Sequence, residues 1–245
     1  MLILALDTSS AGGSAAIVRD GAIALERAGD PSRTHGQRLP LELMTILREA
    51  GCSLDDVDAF AVITGPGSFT GLRVGIATIQ GLALARGKRV MPVSAFEALS
   101  FLLTSNLGRR TSDVGPRTSD LAGVWIDAHR REVFAALYAA DGRTVLEAPT
   151  SLSPEATSER WLRTIETGAR LQFAGDGAIR YADVIRAQFG ERAILPGVTP
   201  PLAGAAGLIA AANPARAVTP HAVVPLYVRR SDAELARDRV QVPRA

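Results

Sequence analysis

The segment from Ile63 to Gly75 carries the most specific pattern of chemistry-bearing residues in this sequence. An apolar run that predicts a buried strand ends at Ile63, and Gly65-Pro66-Gly67 follows as a turn, because glycine and proline favour turn angles. Ser68 or Thr70 then caps a helix by accepting a backbone N–H. A strand, a glycine turn and a helix start together form a place where an anion can sit, although the same pattern also serves a purely structural turn.

A second set of candidate residues follows the predicted first strand of each half of the chain. Asp7-Thr8-Ser9 ends one strand, and Asp127 ends the matching strand, ahead of the turn Gly175-Asp176-Gly177. In one class of phosphotransferase fold such an aspartate positions a metal–nucleotide complex, hydroxyls touch phosphate, and glycine lets the nucleotide approach the backbone. One interpretation is a weak nucleotide site, and the other is that both aspartates are structural. The nucleotide site would comprise Asp7, Thr8, Ser9, Gly175, Asp176 and Gly177.

The histidines argue against a metal centre. The chain has three, His35, His129 and His221, and none has a second histidine three to five residues away. Zinc and iron sites usually need a closer cluster of ligands, so we predict no metal site. The sequence also lacks a P-loop, a dinucleotide fingerprint and a Gly-x-Ser-x-Gly elbow, so we assign no catalytic residue.

Composition narrows the function classes. The 245 residues are 47% hydrophobic and 5% aromatic with a net charge of +2, which predicts a real core but not an autonomous nucleic-acid binder. The single cysteine, Cys52, forms no internal disulfide and indicates a reducing compartment. Because no apolar run reaches membrane-span length and the N-terminus lacks a basic leader, we expect a cytoplasmic protein without membrane contact.

Strand and helix patterns repeat along the chain and predict two α/β lobes with mixed sheets. In the first half we predict strands at residues 2–6, 14–18, 22–28, 58–63 and 89–93 and helices at residues 36–50 and 70–86. In the second half we predict strands at residues 124–126, 131–138, 143–147 and 171–174 and helices at residues 154–167, 178–189 and 203–212.

These patterns divide the chain into four parts. Residues 1–100 form a first lobe, residues 101–121 an exposed insertion loop and residues 122–220 a second lobe, and the tail 221–245 returns to the first lobe. The insertion contains Arg-Thr-Ser-Asp twice, at 110–113 and 117–120, which indicates a small duplication to which we assign no function.

Two helices of the first half have more apolar surface than one core contact requires. Leu41 and Met44 point away from the predicted core face of helix 36–50, beside Arg48. Helix 70–86 gathers small residues on one wide face and is almost uncharged, as is normal for a helix buried on more than one side. It is either an internal core helix or a helix that docks a partner.

The partner hypothesis assigns ten residues to the interface. They are Leu41, Met44, Arg48, Gly71, Arg73, Val74, Gly75, Ala77, Thr78 and Gly81. Under this hypothesis Gly75→Leu or Ala77→Glu blocks association while the monomer stays folded, because the new side chain fills or charges a close helix contact.

The sequence resembles the TsaB (YeaZ) family over nearly the whole chain outside residues 104–120. The resemblance rests on Leu4-Ala5-Leu6-Asp7-Thr8-Ser9, His35 opening a Leu/Pro-rich helix, the segment 64–75, the segment 127–134 and the Gly175-Asp176-Gly177 turn. It implies an α/β fold of the two-lobed actin-like ATPase class (ASKHA, ribonuclease H-like), with mixed sheets flanked by helices. It also implies a role in the bacterial machinery that forms threonylcarbamoyladenosine at position 37 of tRNA.

Within that machinery the resemblance implies a non-catalytic subunit that binds and supports the transferase TsaD. TsaE joins as an ATPase, and tRNA is reached through the complex. TsaD holds a metal through an H-x-x-x-H pair, and this chain has Leu39 where the second histidine would stand. The family's dimer surface comprises the helices 36–50 and 70–86, so we also expect a homodimer when the chain is alone. This chain then requires no cofactor, and ATP or ADP would lie at the complex interface.

The sequence departs from the family and its fold class in two places. Asp7-Thr8-Ser9 lacks the glycine and lysine that ATP-hydrolysing members of the fold place nearby, and His129 stands where the family has arginine. The alternative hypothesis is a stand-alone actin-fold ATPase or small-molecule kinase, which needs a working phosphate site. A peptidase of the glycoprotease type is a third hypothesis, for which the sequence offers neither metal ligands nor a recognisable nucleophile.

Overall fold

The computed structural model describes residues 1–105 and 120–229, which form two five-stranded sheets with helices on their faces. The strands are Leu2–Asp7 (β1), Ser14–Arg19 (β2), Ala22–Ala28 (β3), Ala59–Ile63 (β4), Arg89–Val93 (β5), Leu121–Asp127 (β6), Val133–Tyr138 (β7), Val145–Leu152 (β8), Leu171–Ala174 (β9) and Ala193–Ile194 (β10). The helices are His35–Glu49 (α1), Phe69–Ala85 (α2), Ala95–Thr104 (α3), Pro154–Thr164 (α4), Asp176–Arg180 (α5), Ala182–Phe189 (α6) and Ala203–Ala212 (α7). Within these ranges, every helix is too short or too polar to cross a membrane.

The first sheet has the strand order β3-β2-β1-β4-β5. Strands β1 to β3 form an antiparallel meander, whereas β4 and β5 add parallel to β1. Every residue of β1 is buried, because α1 and α2 cover one face of the sheet and α7 covers the other. A strand covered on both faces has a continuous apolar sequence, which is the pattern from Leu2 to Leu6.

The second sheet repeats this arrangement with the order β10-β9-β6-β7-β8. Strands β6 to β8 are antiparallel neighbours, and β9 and β10 are parallel additions. Its outer core is aromatic, since the Trp125 ring centroid lies 5.8 Å from that of Trp161 and 5.7 Å from that of Phe173. The predicted α/β class with two mixed sheets flanked by helices is confirmed.

One helix of the structure was not predicted, and two predicted elements have other bounds. The sequence pattern does not predict α3, which is apolar on nearly every side because it lies in the core between the two sheets. The predicted helix 178–189 is two helices, α5 and α6, which meet at Tyr181. The predicted strand 143–147 is β8, which begins at Val145 and continues to Leu152.

Helix α7 corrects the assignment of residues 203–212 to the second lobe. Ala203 and Ala210 pack in the core beneath the first sheet, whereas Ala205 and Ala206 join the core that contains α3 and β6. Its small side chains allow this helix to lie close to elements on two sides. The chain therefore returns to the first sheet before residue 221.

The tail continues this return along α2. The Leu226 N–H donates to the Thr64 carbonyl oxygen at 2.8 Å, and Gln80 Nε2 donates to the carbonyl oxygens of Pro220 and Val223 at 2.9 and 3.0 Å. Val223 is buried in the first core. These contacts tie residues 220–226 to β4 and α2.

The predicted insertion 101–121 overlaps regular structure at both ends. Residues 101–104 belong to α3, and Leu121 begins β6. The stretch 106–119 with its duplicated tetrapeptide lies outside the described residues, as does the end of the tail from residue 230. Apart from these corrections, the lobe boundaries stay a prediction.

Gly67, Gly71 and Gly75 are spaced by four residues, and the loop between β1 and β2 lies directly on them. A Cβ atom on Gly67 would lie 2.4 Å from the Ser9 carbonyl oxygen, and one on Gly71 would lie 2.3 Å from the Thr8 carbonyl oxygen. On Gly75 it would lie 2.1 Å from Thr8 Oγ1. The absence of side chains at these three positions therefore allows loop and helix to pack with backbone in contact.

This contact corrects the assignment of Gly71 and Gly75 to a partner interface. Both glycines are buried inside the chain, and a leucine at position 75 would displace Thr8. Gly75→Leu would therefore not leave the monomer intact. A Cβ atom on Gly81, by contrast, would meet nothing within 4 Å. The small-residue face of this helix divides into an inward part and an outward part.

Replacing Gly75 by alanine is expected to destabilise the protein by about 1–3 kcal/mol, because the added methyl group overlaps Thr8. Gly81→Ala is the matched control, since it makes the same change in the same helix but in open space. It should stabilise the protein by roughly 0.5–1 kcal/mol. Urea unfolding followed by circular dichroism measures both. Adding Thr8→Ala to Gly75→Ala should restore part of the loss, and equal effects at positions 75 and 81 would contradict the described packing.

Candidate functional site

A cavity of about 320 Å³ lies between the two sheets, where β1 and β9 end. Four of the six residues predicted for a nucleotide site line this cavity, namely Asp7, Ser9, Gly175 and Asp176. Thr8 does not, because its side chain is turned onto α2. Gly177 does not either, because it packs against the backbone of Ile126 and Asp127.

Two N–H groups beside this cavity are bonded within the chain. Asp7 Oδ1 accepts the Ser9 N–H at 2.8 Å, and Ser10 Oγ accepts the Gly13 N–H at 3.1 Å. Among the described residues, the charged side chains of the wall are Asp7 and Asp176. Because carboxylates repel a bare phosphate, a nucleotide at this wall would need a metal cation beside them.

Arg38 fastens the loop between β1 and β2 onto α1. Its side chain is 2% exposed, donates to the Gly12 carbonyl oxygen and pairs with Glu42 at 2.5 Å. His35 Nδ1 lies 2.6 Å from Arg38 Nη2, and His35 Nε2 lies 3.0 Å from the Ser10 carbonyl oxygen. Because arginine only donates and a carbonyl only accepts, His35 is neutral with its proton on Nε2. Burial lowers the pKa of His35, and the charge of Arg38 lowers it further.

This network leaves His35 without a nitrogen lone pair for a metal ion. Leu39, at the position of the second histidine, is buried in the first core. Within residues 1–105 and 120–229, no three His, Cys, Asp or Glu side chains come together in a way that could hold a metal ion. The polar chemistry at the start of α1 therefore holds the neighbouring loop.

Burial raises the pKa of Asp7 above its ordinary value, although hydrogen bonds from Ser9 and the charge of Arg38 act against this. The folded state then holds the proton more tightly than the unfolded chain. Stability therefore falls as the pH rises from the unfolded pKa of about 4 through the raised folded pKa.

We expect Asp7→Asn, which keeps an oxygen for the Ser9 N–H, to raise the melting temperature by about 2–4 °C at pH 7. At pH 4 the gain should be smaller, because the carboxyl group is then protonated in the folded state. Thermal unfolding at the two pH values measures the difference. An equal shift at both would show that ionisation of Asp7 does not destabilise the fold.

The outer face of α1 and α2 is apolar and exposed. Leu41 and Met44 on α1 are 68% and 59% exposed, and Leu84 on α2 is 63% exposed. Along the 17 residues of α2, the one charged side chain is Arg73. We call this face the α1–α2 surface. It comprises Leu41, Met44, Arg48, Arg73, Val74, Ala77, Thr78, Gly81, Leu84 and, from the tail, Val224.

Eight of the ten predicted interface residues lie on the α1–α2 surface, and two of its members were not predicted. Leu84 follows Ala77 and Gly81 at helical spacing, so the periodicity of α2 contains the signal for it. Val224 is 69% exposed and lines a groove of about 490 Å³ between α2 and the tail, together with Ala77 and Gln80. The sequence predicts that the tail returns to the first lobe, but nothing in it indicates that Val224 lies beside α2.

Asp127, the second-lobe counterpart of Asp7, lines a different cavity. Its carboxylate accepts from Arg180 Nη1 at 2.8 Å and lies 3.5 Å from His129 Nδ1. Its N–H donates to Asp176 Oδ1 at 3.0 Å. The repeated strand order therefore does not bring the two strand-ending aspartates into one site.

Known proteins resemble this chain in sequence and in structure. A family model described as "TsaD: tRNA N6-adenosine threonylcarbamoyltransferase" matches residues 29–157. An uncharacterized protein of Mycobacterium tuberculosis is 33% identical over 234 residues, which cover 95% of this chain and 93% of the relative. The Escherichia coli tRNA threonylcarbamoyladenosine biosynthesis protein TsaB is 37% identical over 163 residues, or 65% of this chain and 66% of that protein. The solved structure of YeaZ from Pseudomonas aeruginosa matches with a TM-score of 0.72 and 29% identity, over 92% of this chain and 99% of that one.

The matched residues 29–157 contain the glycine segment and the segment 127–134, which carry the resemblance noted in the sequence. The structural match extends over both sheets, so the two-lobed fold of the actin-like ATPase class is confirmed. The chain thus belongs to the family of the threonylcarbamoyltransferase model, and within it to the TsaB (YeaZ) group.

Proposed function

We propose that this chain is a non-catalytic subunit of the machinery that forms threonylcarbamoyladenosine at position 37 of tRNA, where it binds and supports the transferase TsaD. Membership of the TsaB group supports involvement in this modification, since relatives of that name are described as biosynthesis proteins for it. The matching family model bears the description of the transferase itself, which supports a partner of related fold.

The α1–α2 surface is the observation that carries this proposal. A solvent-facing helix normally presents charged residues, but Leu41, Met44 and Leu84 present large apolar side chains instead. Exposed apolar side chains on neighbouring helices gain free energy when another protein covers them. Arg48 and Arg73 are exposed on the same face and can pair with carboxylates of the partner.

The cavity at Asp7 supports a non-catalytic role. Its wall presents carboxylates and internally bonded N–H groups, which are unsuited to an isolated triphosphate. In this proposal the chain needs no cofactor of its own, and ATP or ADP lies at the boundary of the complex. TsaE joins as an ATPase, tRNA is reached through the complex, and the assembly works in the cytoplasm. The free chain forms a homodimer through the α1–α2 surface.

Met44→Asp and Ala77→Glu are expected to weaken TsaD binding by at least about tenfold each, because a carboxylate would be buried against an apolar partner. Both positions are exposed, so the monomer should stay folded. Val198→Asp is the matched control, since Val198 is 63% exposed on another face. Size-exclusion chromatography and calorimetry with TsaD from the same cell measure the effect. Equal affinity for TsaD of the wild type and the three variants would place the interface elsewhere. Met44→Asp and Ala77→Glu should also abolish the homodimer.

Calorimetric titration of the purified chain with ATP and Mg²⁺ separates this proposal from a stand-alone ATPase or kinase. We expect no saturable binding at nucleotide concentrations up to about 1 mM, the upper end of ordinary KM values. Asp7→Asn serves as the control, because it should leave this result unchanged. Micromolar affinity that Asp7→Asn abolishes, together with turnover, would favour the ATPase or kinase instead.

A further inference from the structure

A second cavity, of about 380 Å³, opens between the start of α2, the tip of the β6–β7 hairpin and the tail. Aromatic side chains from three separate elements line it, namely Phe69, Phe134 and Tyr227. His129 and Arg229 line it as well. We call it the hairpin cavity. It shares no wall residue with the cavity at Asp7.

The aromatic wall is held in place by neighbouring contacts. The ring centroids of Phe69 and Tyr227 are 5.4 Å apart and the rings are nearly parallel, at 29°. Arg73 Nε donates to the Tyr227 hydroxyl oxygen at 3.1 Å, and its guanidinium lies 3.8 Å from the centroid of the Phe69 ring. Both rings nevertheless remain 41% exposed. A fixed and solvent-facing aromatic pair next to arginine is well suited to stacking on a planar ligand.

The hairpin tip adds exposed basic residues in an unusual conformation. His129, Arg130 and Arg131 have φ angles of 57°, 53° and 60°, and all three are exposed. Left-handed backbone at a residue other than glycine costs roughly 1–2 kcal/mol. Two backbone hydrogen bonds hold the turn. The Ala128 N–H donates to the Glu132 carbonyl oxygen at 3.1 Å, and the Glu132 N–H donates to the His129 carbonyl oxygen at 2.9 Å. Strain of this kind, maintained at a surface tip, is typical of functional sites.

The carboxylates beside the hairpin cavity are covered by arginines. Asp127 accepts from Arg180 at 2.8 Å, and Glu132 accepts from Arg229 at 2.9 Å. Arg229 also lies 5.7 Å from the centroid of the Phe134 ring. These pairs balance the charge of the two carboxylates, so the exposed Arg130 and Arg131 of the hairpin tip give the rim a net positive charge beside aromatic surface. This combination suits a polyanion with planar groups.

We propose that the hairpin cavity binds an unpaired nucleotide of RNA, with its base stacked on Tyr227 and its phosphates beside the arginines of the hairpin tip. The inference rests on the proposed function, which makes RNA the substrate of the complex. Single-stranded RNA is bound by stacking on aromatic side chains and by arginines along the backbone. An acidic peptide would use the positive rim but leave the aromatic wall without a planar partner.

One nucleotide subsite is consistent with the near-neutral charge of the whole chain. With a net charge of +2, the protein has no extended basic stripe that would hold RNA by itself. The subsite therefore adds affinity and orientation to an RNA that is held by the complex. We expect its own dissociation constant for a short oligonucleotide to be about 10⁻⁴ M, at the weak end of non-specific binding.

The test uses the full chain and a five-nucleotide RNA with 2-aminopurine at its centre, because stacking quenches the fluorescence of this base. We expect saturable quenching by the wild-type chain. Tyr227→Ala should weaken binding by about tenfold and remove the quenching, whereas Tyr227→Phe should retain it, because stacking needs the ring and not the hydroxyl. Arg131→Glu should weaken RNA binding about fivefold or more. It should also make the affinity depend less steeply on salt concentration, because one phosphate contact is lost. Arg143→Glu, at the exposed turn between β7 and β8, is the matched control and should bind as wild type.

Four results would overturn the inference. Binding without quenching, or binding that Tyr227→Ala leaves unchanged, would show that the hairpin cavity makes only a general contact with polyanions. Equal losses in Arg131→Glu and Arg143→Glu would have the same meaning. Competition by AMP as effective as by the pentanucleotide would make the cavity a mononucleotide site. Arg131→Glu should still bind TsaD, so a loss of RNA binding alone concerns this inference, whereas failure of the wild-type chain to bind TsaD concerns the proposed function.

Discussion

The contact of Thr8 and Ser9 with the glycines of α2 determines how the other parts of this molecule can be used. Because Gly67, Gly71 and Gly75 have no side chains, the loop after β1 lies on the helix with its backbone in contact. Arg38 fastens the same loop from α1. A loop held from two sides has a fixed shape, in which Thr8 packs on the helix while Ser9 and Ser10 line the cavity between the sheets.

The same contact explains which part of the glycine pattern could be interpreted from sequence. The turn, the helix start and the lack of charge are local properties, and the structure has them where predicted. Which glycine faces inward is not local, because the filling residue, Thr8, lies far away in sequence. Gly75 and Gly81 point about 120° apart in a helical projection, and the structure buries the first against Thr8 while the second meets nothing within 4 Å. Periodicity separates the two directions, but it does not say which of them faces another part of the chain.

Element positions were predictable wherever a strand or helix has a single buried face or a clear turn. The hairpins and α1 follow that rule, whereas α3 does not, because a helix enclosed between two sheets has no polar face to reveal its period. The repeated strand order matched Asp7 with Asp127, whereas the structure places Asp7 and Asp176 on one cavity. The position of Asp127 did not, because its pairing with Arg180 depends on tertiary contacts that no strand pattern contains.

The loop after β1 is held by contacts within the chain, whereas the α1–α2 surface presents exposed apolar side chains. Two N–H groups of this loop, those of Ser9 and Gly13, are bonded to side chains of the loop itself, and these bonds help to hold its shape. Leu41, Met44 and Leu84 remain uncovered, although each would gain free energy by burial. Exposed apolar side chains on two neighbouring helices are the feature of this chain that fits the proposed supporting role, because a covering partner would remove them from water.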